Sequence, residues 1–221
     1  MSECDQAHAK KRTRLPPDER KEQILRAAGP YFAEHGYAST DVQAIADRIG
    51  VGKGTIYRHF SSKEELFLAT VQRAVERLSE SIDARVEATS DPLDKLKAAV
   101  YAYLEFFDAY PGVVELFIQE RAEFRTQAPP IYFAHSARER AKWRPLHDAL
   151  IARGDARALS FDDVADIIGN TLFGAAFKHR LAGDDGALVE RAEATLEVIL
   201  HGILRPDARS RERSEPHRDR R

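Results

Sequence analysis

The chain reads as all-α on three grounds. Helix starts and stops recur along its 221 residues, runs of β-branched residues are scarce, and apolar residues return at helical spacing. One stretch, residues 40–66, reads further as two short helices joined by a tight glycine turn. The expected architecture is an N-terminal three-helix unit over 18–64 and a larger helical unit over 65–204. The charged segments 1–17 and 205–221 have little to bury and are expected to be disordered.

Each element has its own signal. Pro16-Pro17-Asp18-Glu19 opens a helix to about His35, with proline where a missing N–H is harmless and acids beside the positive helix end. Gly36 stops it. Val42, Ile45, Ala46 and Ile49 give the next helix one apolar face. Gly50, just past the last of them, can take the left-handed conformation that closes a helix, and Val51 gives the turn a buried anchor. In the short helix that follows, Ile56 and Phe60 face inward. Lys53, Gly54, Thr55, Tyr57, Arg58 and His59 are left on the other sides. Ser61-Ser62-Lys63-Glu64-Glu65 is a capping-box start for a long helix to about Thr89.

Asp91-Pro92 begins another helix, with Leu93, Leu96, Val100, Tyr103 and Phe107 as its buried stripe. Pro111-Gly112 precedes a helix from Val113 to about Phe124, and Pro129-Pro130 precedes a single helix from Ile131 to Ala152. Ser160-Phe161-Asp162-Asp163 is read as a further capping box, opening a helix to Leu181. A last helix runs from Gly186 to Leu204.

Composition excludes several classes. With 43% hydrophobic and 32% charged residues the chain has ordinary soluble composition. No apolar run approaches the roughly 20 residues of a membrane span, and the N-terminus lacks a signal peptide's apolar segment, so a cytoplasmic location is expected. Cys4 is the only cysteine and leaves no intrachain disulfide. A net charge of -2 does not advertise a nucleic-acid binder, yet the charge is uneven. Lys10, Lys11, Arg12 and Arg14 form a basic arm that could neutralise phosphates, or could equally be a solvated tail. No Gly-rich phosphate loop, nucleophile elbow or metal-spaced histidine pair is present, so neither a catalytic role nor a cofactor is expected.

Gly50-Val51-Gly52-Lys53-Gly54-Thr55-Ile56-Tyr57-Arg58-His59-Phe60, followed by Ser61-Ser62-Lys63-Glu64-Glu65-Leu66, closely resembles the helix-turn-helix signature of the TetR/AcrR family of bacterial transcription regulators. Ile24-Leu25-Arg26-Ala27-Ala28 and Phe32-Ala33-Glu34-His35-Gly36-Tyr37 resemble the family's first helix and its exit. The resemblance spans roughly residues 18 to 70, and beyond it only size and helical character match. It implies an N-terminal DNA-binding domain and a C-terminal domain for ligand binding and dimerisation.

For DNA contact the candidates are Thr40, Gln43, Lys53, Gly54, Thr55, Tyr57, Arg58, His59 and Lys63. Thr40 is read as the cap of the motif's first helix, its side chain also able to donate to a phosphate. Gln43 is read either as a base or phosphate contact or as the far half of a capping box. Lys53 and Gly54 sit where base edges are normally read. Tyr57 and His59 resemble the family's backbone-contacting pair, and Lys63 would reach a flanking phosphate.

For the effector, Arg121 falls on an apolar stripe with Phe117 and Phe124, and a buried guanidinium needs a carboxylate or an anionic ligand group. Glu120 is the alternative should the ligand be cationic. Tyr103, Phe107, Trp143, Phe173 and Phe177, with His147 nearby, could line an apolar pocket or be plain core. The last two helices are expected to pair with a second subunit through Val164, Ile168, Thr171, Leu172, Ala175, Leu188, Ala192, Leu196, Ile199 and Ile203. The expectation is a homodimeric, ligand-responsive regulator, a repressor released from a pseudo-palindromic double-stranded DNA operator by a small, mostly apolar effector. The rivals are a constitutive DNA-binding protein without an effector site, and a small-molecule-binding protein or enzyme with a vestigial motif.

Overall fold

Every regular element that the computed structural model places among the described residues, 15–126, 129–183 and 186–201, is helical. The expected basic arm and Cys4, the charged tail and Ile203 lie outside them. The chain divides into two compact units, one ending at Thr70 and the other beginning at Val71. This lies beyond the expected boundary at residue 64, because Leu66, Phe67 and Thr70 are buried with the first unit's core.

The first unit contains α1 (Pro17–His35), α2 (Val42–Arg48), α3 (Lys53–Tyr57) and the start of α4 (Lys63–Glu87). Ile24, Ala28 and Phe32 of α1, Val42 and Ile45 of α2, Ile56 of α3, and Phe60 are all buried, and α2 contacts both α1 and α3. Phe32 meets Phe67 edge to face at 5.1 Å. Gly50 takes the expected left-handed conformation, φ 67°. Beyond it the Val51 N–H donates back to the Ala46 carbonyl at 3.0 Å, satisfying one of the helix's orphan acceptors. The capping box before α4 forms: the Glu65 N–H donates to Ser62 Oγ at 3.0 Å, and the Glu65 carboxylate accepts the Ser61 N–H at 2.6 Å.

In the second unit α5 (Pro92–Ala109) is the central helix, in contact with helices α8 (Arg144–Ala152), α9 (Phe161–Ala182) and α10 (Ala192–His201). It is buried on several sides through Val100, Tyr103, Leu104, Phe106 and Phe107. Asp91 caps it by accepting the Leu93 and Asp94 N–H groups. Helices α6 (Gly112–Glu123) and α7 (Ile131–Glu139) complete the set.

Two expected helices change their bounds, and one expected cap does not form. The segment read as one helix from Ile131 to Ala152 is α7, a 3-10 turn over Arg140–Trp143, and α8. Pro145 lies in the first turn of α8, where it can supply no N–H to the preceding ladder. The last helix begins later than expected. A 3-10 turn, Leu188–Arg191, precedes α10, held by Asp108, whose carboxylate accepts the Leu188 N–H at 2.7 Å and the Val189 N–H at 2.9 Å. Ser160 is the N-cap residue of α9, but its side chain makes no capping bond.

Candidate nucleic-acid interface and apolar cavity

Helix α3 is short because little holds it besides the turn before it and the core beneath it. Ile56 and Phe60 are its anchors, 0% and 1% exposed. They turn Gly54, Tyr57 and Arg58 outward, with Lys53, Thr55 and His59 partly exposed beside them. A Cβ built on Gly54 would meet nothing within 4 Å, so the protein itself does not require glycine there; close approach by another molecule would. An open groove beside the helix is walled by Arg20 and Gln23 of α1 together with Thr55, Arg58 and His59. Arg20 and Gln23 are not among the sequence candidates. Their place in the first exposed turns of α1 is visible in the sequence, but their proximity to α3 is not.

The candidate contacts are not equally available. The Lys53 ammonium donates to Asp41 Oδ1 at 2.9 Å, which pushes the Lys53 pKa up. The same oxygen accepts the Gln43 N–H at 2.9 Å, so Asp41, not Thr40, is the N-cap of α2. That N–H bond first, and then Lys53, hold the Asp41 carboxyl below its ordinary value. Thr40 is corrected in a second respect. It is 3% exposed and its hydroxyl donates to the Gly36 carbonyl at 2.6 Å, so the hydroxyl proton is already used. The Thr40-x-x-Gln43 box does not form, because the Gln43 amide donates to Asp47 at 2.7 Å along its own helix. Lys63 points into the protein, donating to the carbonyls of Ala38 and Thr40 at 3.0 Å each, with the Tyr37 ring 4.7 Å away.

The second unit contains a cavity of about 460 Å³, within the range of small-molecule sites, about 300–1,000 Å³. Its apolar wall includes Leu78 and Ile82 from α4, Leu96 and Val100 from α5, and Leu172 and Phe173 from α9. Tyr103, Trp143, His147 and Phe173, expected near a ligand, do line it. So do Val164 and Ile168, which the sequence assigns to the dimer face. Tyr132 and Phe133 are lining residues that the sequence does not reveal. They follow a proline break, and no periodic signal points them at α9.

The cluster built around Arg121 does not form a cavity wall. Arg121 is exposed and donates to the Arg125 carbonyl at 3.2 Å, because the register of α6 turns it away from the buried stripe of Val113, Val114, Leu116 and Phe117. Phe107 and Phe117 are buried core 6.5 Å apart, and Phe177 packs against Phe173 at 4.2 Å without lining the cavity. Phe124 is the C-cap residue of α6. Glu120 is buried at 4% exposure and accepts the Ile131 N–H at 2.9 Å, capping α7; burial pushes its pKa up.

Of the expected dimer residues, Leu172 is buried on the cavity wall, and Leu188, Ala192 and Leu196 are buried within the chain's own second unit, where α10 and the preceding 3-10 turn meet α5. Ala175 and Ile199 are half-buried and Thr171 is exposed. The outward apolar residues are instead Ile167, Leu181 and Val198, at 63%, 67% and 53% exposure.

A glycine turn that leads into a short helix, anchored by two apolar residues and exposing small, cationic and hydrogen-bonding groups, defines a DNA-reading helix-turn-helix protein. Residues 24–70 match the pattern of the family described as bacterial regulatory proteins, tetR family. That match lies within the first unit, so the family's DNA-binding pattern is present there. Over 95 residues it is 44% identical to the HTH-type transcriptional activator FasR of Mycolicibacterium smegmatis, a match covering 43% of each chain. It is 26% identical to the HTH-type transcriptional regulator HbdR of Aromatoleum sp., over 85% of this chain and 82% of that one. Among solved structures, the fatty acid degradation regulator FadR of Bacillus halodurans shares the fold with a TM-score of 0.73 at 22% identity, covering 86% of this chain and 98% of its own. The ketosteroid transcriptional regulator KstR2 of Mycobacterium tuberculosis superposes with a TM-score of 0.62 at 26% identity, covering 84% of this chain and 95% of its own. No helix among the described residues is long and apolar enough to cross a membrane.

Proposed function

We propose that the protein is a ligand-responsive regulator of transcription that acts in the cytoplasm as a homodimer on a pseudo-palindromic operator. The observation that carries the DNA-binding half is the outward presentation of Gly54, Tyr57 and Arg58 over the buried Ile56 and Phe60. Donors, a cation and open space at a helix start suit a DNA groove and its phosphates. The cavity carries the effector half, since a constitutive DNA-binding protein would have reason to fill it. Helix α4 supplies Leu66 and Phe67 to one core and Leu78 and Ile82 to the cavity wall. A ligand that prefers one placement of this helix would shift the population of DNA-competent protein by its differential affinity for the two states. Repression, with release on ligand binding, is the direction proposed.

Selection of binding sites from a random duplex pool tests the reading. The expected product is a pseudo-palindrome whose half-sites lie about 34–36 Å apart or a multiple of that. Arg58→Ala should lose the enrichment while melting like the parent. A pool that returns no enriched sequence would remove the proposal.

A further inference from the structure

We propose that the effector is an uncharged, largely apolar molecule carrying a carbonyl-type hydrogen-bond acceptor, received by the hydroxyl pair of Tyr103 and Tyr132. This rests on the cavity being an effector site, and it names the chemistry of that site.

The two phenolic oxygens lie 3.0 Å apart on the cavity wall, on residues 6% and 9% exposed. Two hydroxyls joined by one hydrogen bond hold one proton more than that bond uses. Spare lone pairs are tolerated in protein interiors, but a buried donor without an acceptor is rare. Burial raises the pKa of both phenols, so they remain donors at neutral pH. A ligand placing a carbonyl oxygen beside the pair would accept the surplus proton while its hydrocarbon covers the wall formed by Leu78, Ile82 and Val100.

The carboxylates, arginine and lysine of the lining leave an ionic head no free counter-charge. Its charged groups are Glu139, Arg140, Lys142 and Asp166, equal in sign count, and both cations are already paired. Arg140 donates to Asp166 and, at 3.3 Å, to Asp162. Lys142 bonds Asp83 at 2.8 Å and Glu139 at 3.0 Å. A ligand carboxylate or ammonium would have to break one of these pairs, rely on the Nε2 of His147, which has no hydrogen-bond partner on the cavity wall, or remain unpaired in an apolar cavity.

Trp143 lines the cavity and is the only tryptophan in the chain, so its emission reports occupancy without a label. Four probes sharing one hydrocarbon chain, octanone, octanoate, octylamine and octane, are titrated against the full chain. Trp143 emission and operator release are followed together. Octanone should bind most tightly. In the Tyr103→Phe/Tyr132→Phe double variant its affinity should fall about three- to tenfold, while octane binds as before. The double variant removes both partners at nearly constant volume, so its fold should survive, and a melting curve verifies this. Tighter binding of octanoate or octylamine than of octanone would overturn the proposal and leave the effector reading standing. So would unchanged octanone affinity in the double variant. If none of the four probes alters emission or operator binding, the effector reading falls and the proposal with it.

Discussion

One carboxylate oxygen of Asp41 is shared by two donors, the Gln43 N–H at 2.9 Å and the Lys53 ammonium at 2.9 Å. The cap of α2 and the first residue of α3 are therefore tied through a single atom. Lys53 does not point freely at solvent, and an acid stands at the surface where phosphates would approach. On the proposed function, Asp41 would restrain the cation at the start of α3 and oppose indiscriminate phosphate binding.

Replacing Asp41 with Asn should separate these roles. Asparagine is as good an N-cap as aspartate, so α2 should persist. With the acid gone, binding to random duplex should strengthen and its salt dependence should steepen by about one counterion, while the preference for operator over random DNA narrows. Lys53→Ala should instead relax discrimination at one base position by about 1–3 kcal/mol. Titrations of operator and random duplex over a series of salt concentrations measure both. Equal specificity ratios in parent and both variants would show that neither residue takes part in reading.

Lys63 is expected to act on stability more than on DNA. Two of its three donors hold the carbonyls of Ala38 and Thr40, and so fix the turn between α1 and α2. Lys63→Met should lower the stability of the first unit by about 1 kcal/mol, below the usual value for a charged hydrogen bond because the side chain is partly solvated. The salt slope of operator binding should be unchanged. A slope smaller by about one, with unaltered melting, would restore Lys63 to a phosphate contact.

The first unit is legible in the sequence because its signals are local: a glycine at φ 67°, a capping box, and apolar spacing over a few turns. Thr40 misleads because a threonine and an aspartate in sequence are both good caps, and only the fold shows that the Thr40 hydroxyl is buried against the Gly36 carbonyl. Farther along, periodicity locates the α5 stripe but does not say whether Val100 and Tyr103 meet side chains or a cavity. Arg121 is drawn into an apolar face by a register that α6 does not keep, and Leu188, Ala192 and Leu196 read identically whether buried against α5 or against a second subunit. Those alternatives differ only in long-range contacts, which spacing does not encode.

Glu120 and Asp41 should show opposite pH dependence. Burial raises the folded-state pKa of Glu120, so its contribution to stability is present below the ordinary glutamate value, about 4.3, and is lost as the pH rises through the raised one. In the Glu120→Gln variant the amide oxygen can still accept the Ile131 N–H without a buried charge. That variant should therefore gain stability over the parent as the pH rises from acid to neutral, whereas Glu120→Ala, which strands the same N–H, should lose it. Asp41 has a depressed folded-state pKa, so its contribution is present above the ordinary aspartate value, about 3.9, and is lost as the pH falls through the depressed one. Melting curves of Glu120→Gln and Asp41→Asn against the parent across this range measure both gaps. Gaps of the same sign and trend would contradict the assignment.

The dimer proposal now rests on a different face from the one the sequence suggests. Ile167, Thr171, Gly174 and Leu181 fall three, four or seven residues apart along α9 and are all exposed. A Cβ built on Gly174 meets nothing within 4 Å, which would allow close approach of another helix. Val198 presents a second exposed apolar side chain on α10. A contiguous exposed apolar patch marks an interaction surface, and these residues are the candidates to form one. Because Ile167 is 63% exposed, Ile167→Glu should leave the fold intact, yet across a two-fold axis it would bring two like charges into a partly desolvated contact. Sedimentation should then show monomers, and operator affinity should collapse because a monomer engages only one half-site. Leu196→Glu is the contrasting variant: Leu196 is 6% exposed, so the charge should unfold the second unit whether or not a dimer forms. A parent that sediments as a monomer, or an Ile167→Glu variant that remains a dimer with normal operator binding, would place the subunit contact elsewhere or remove it.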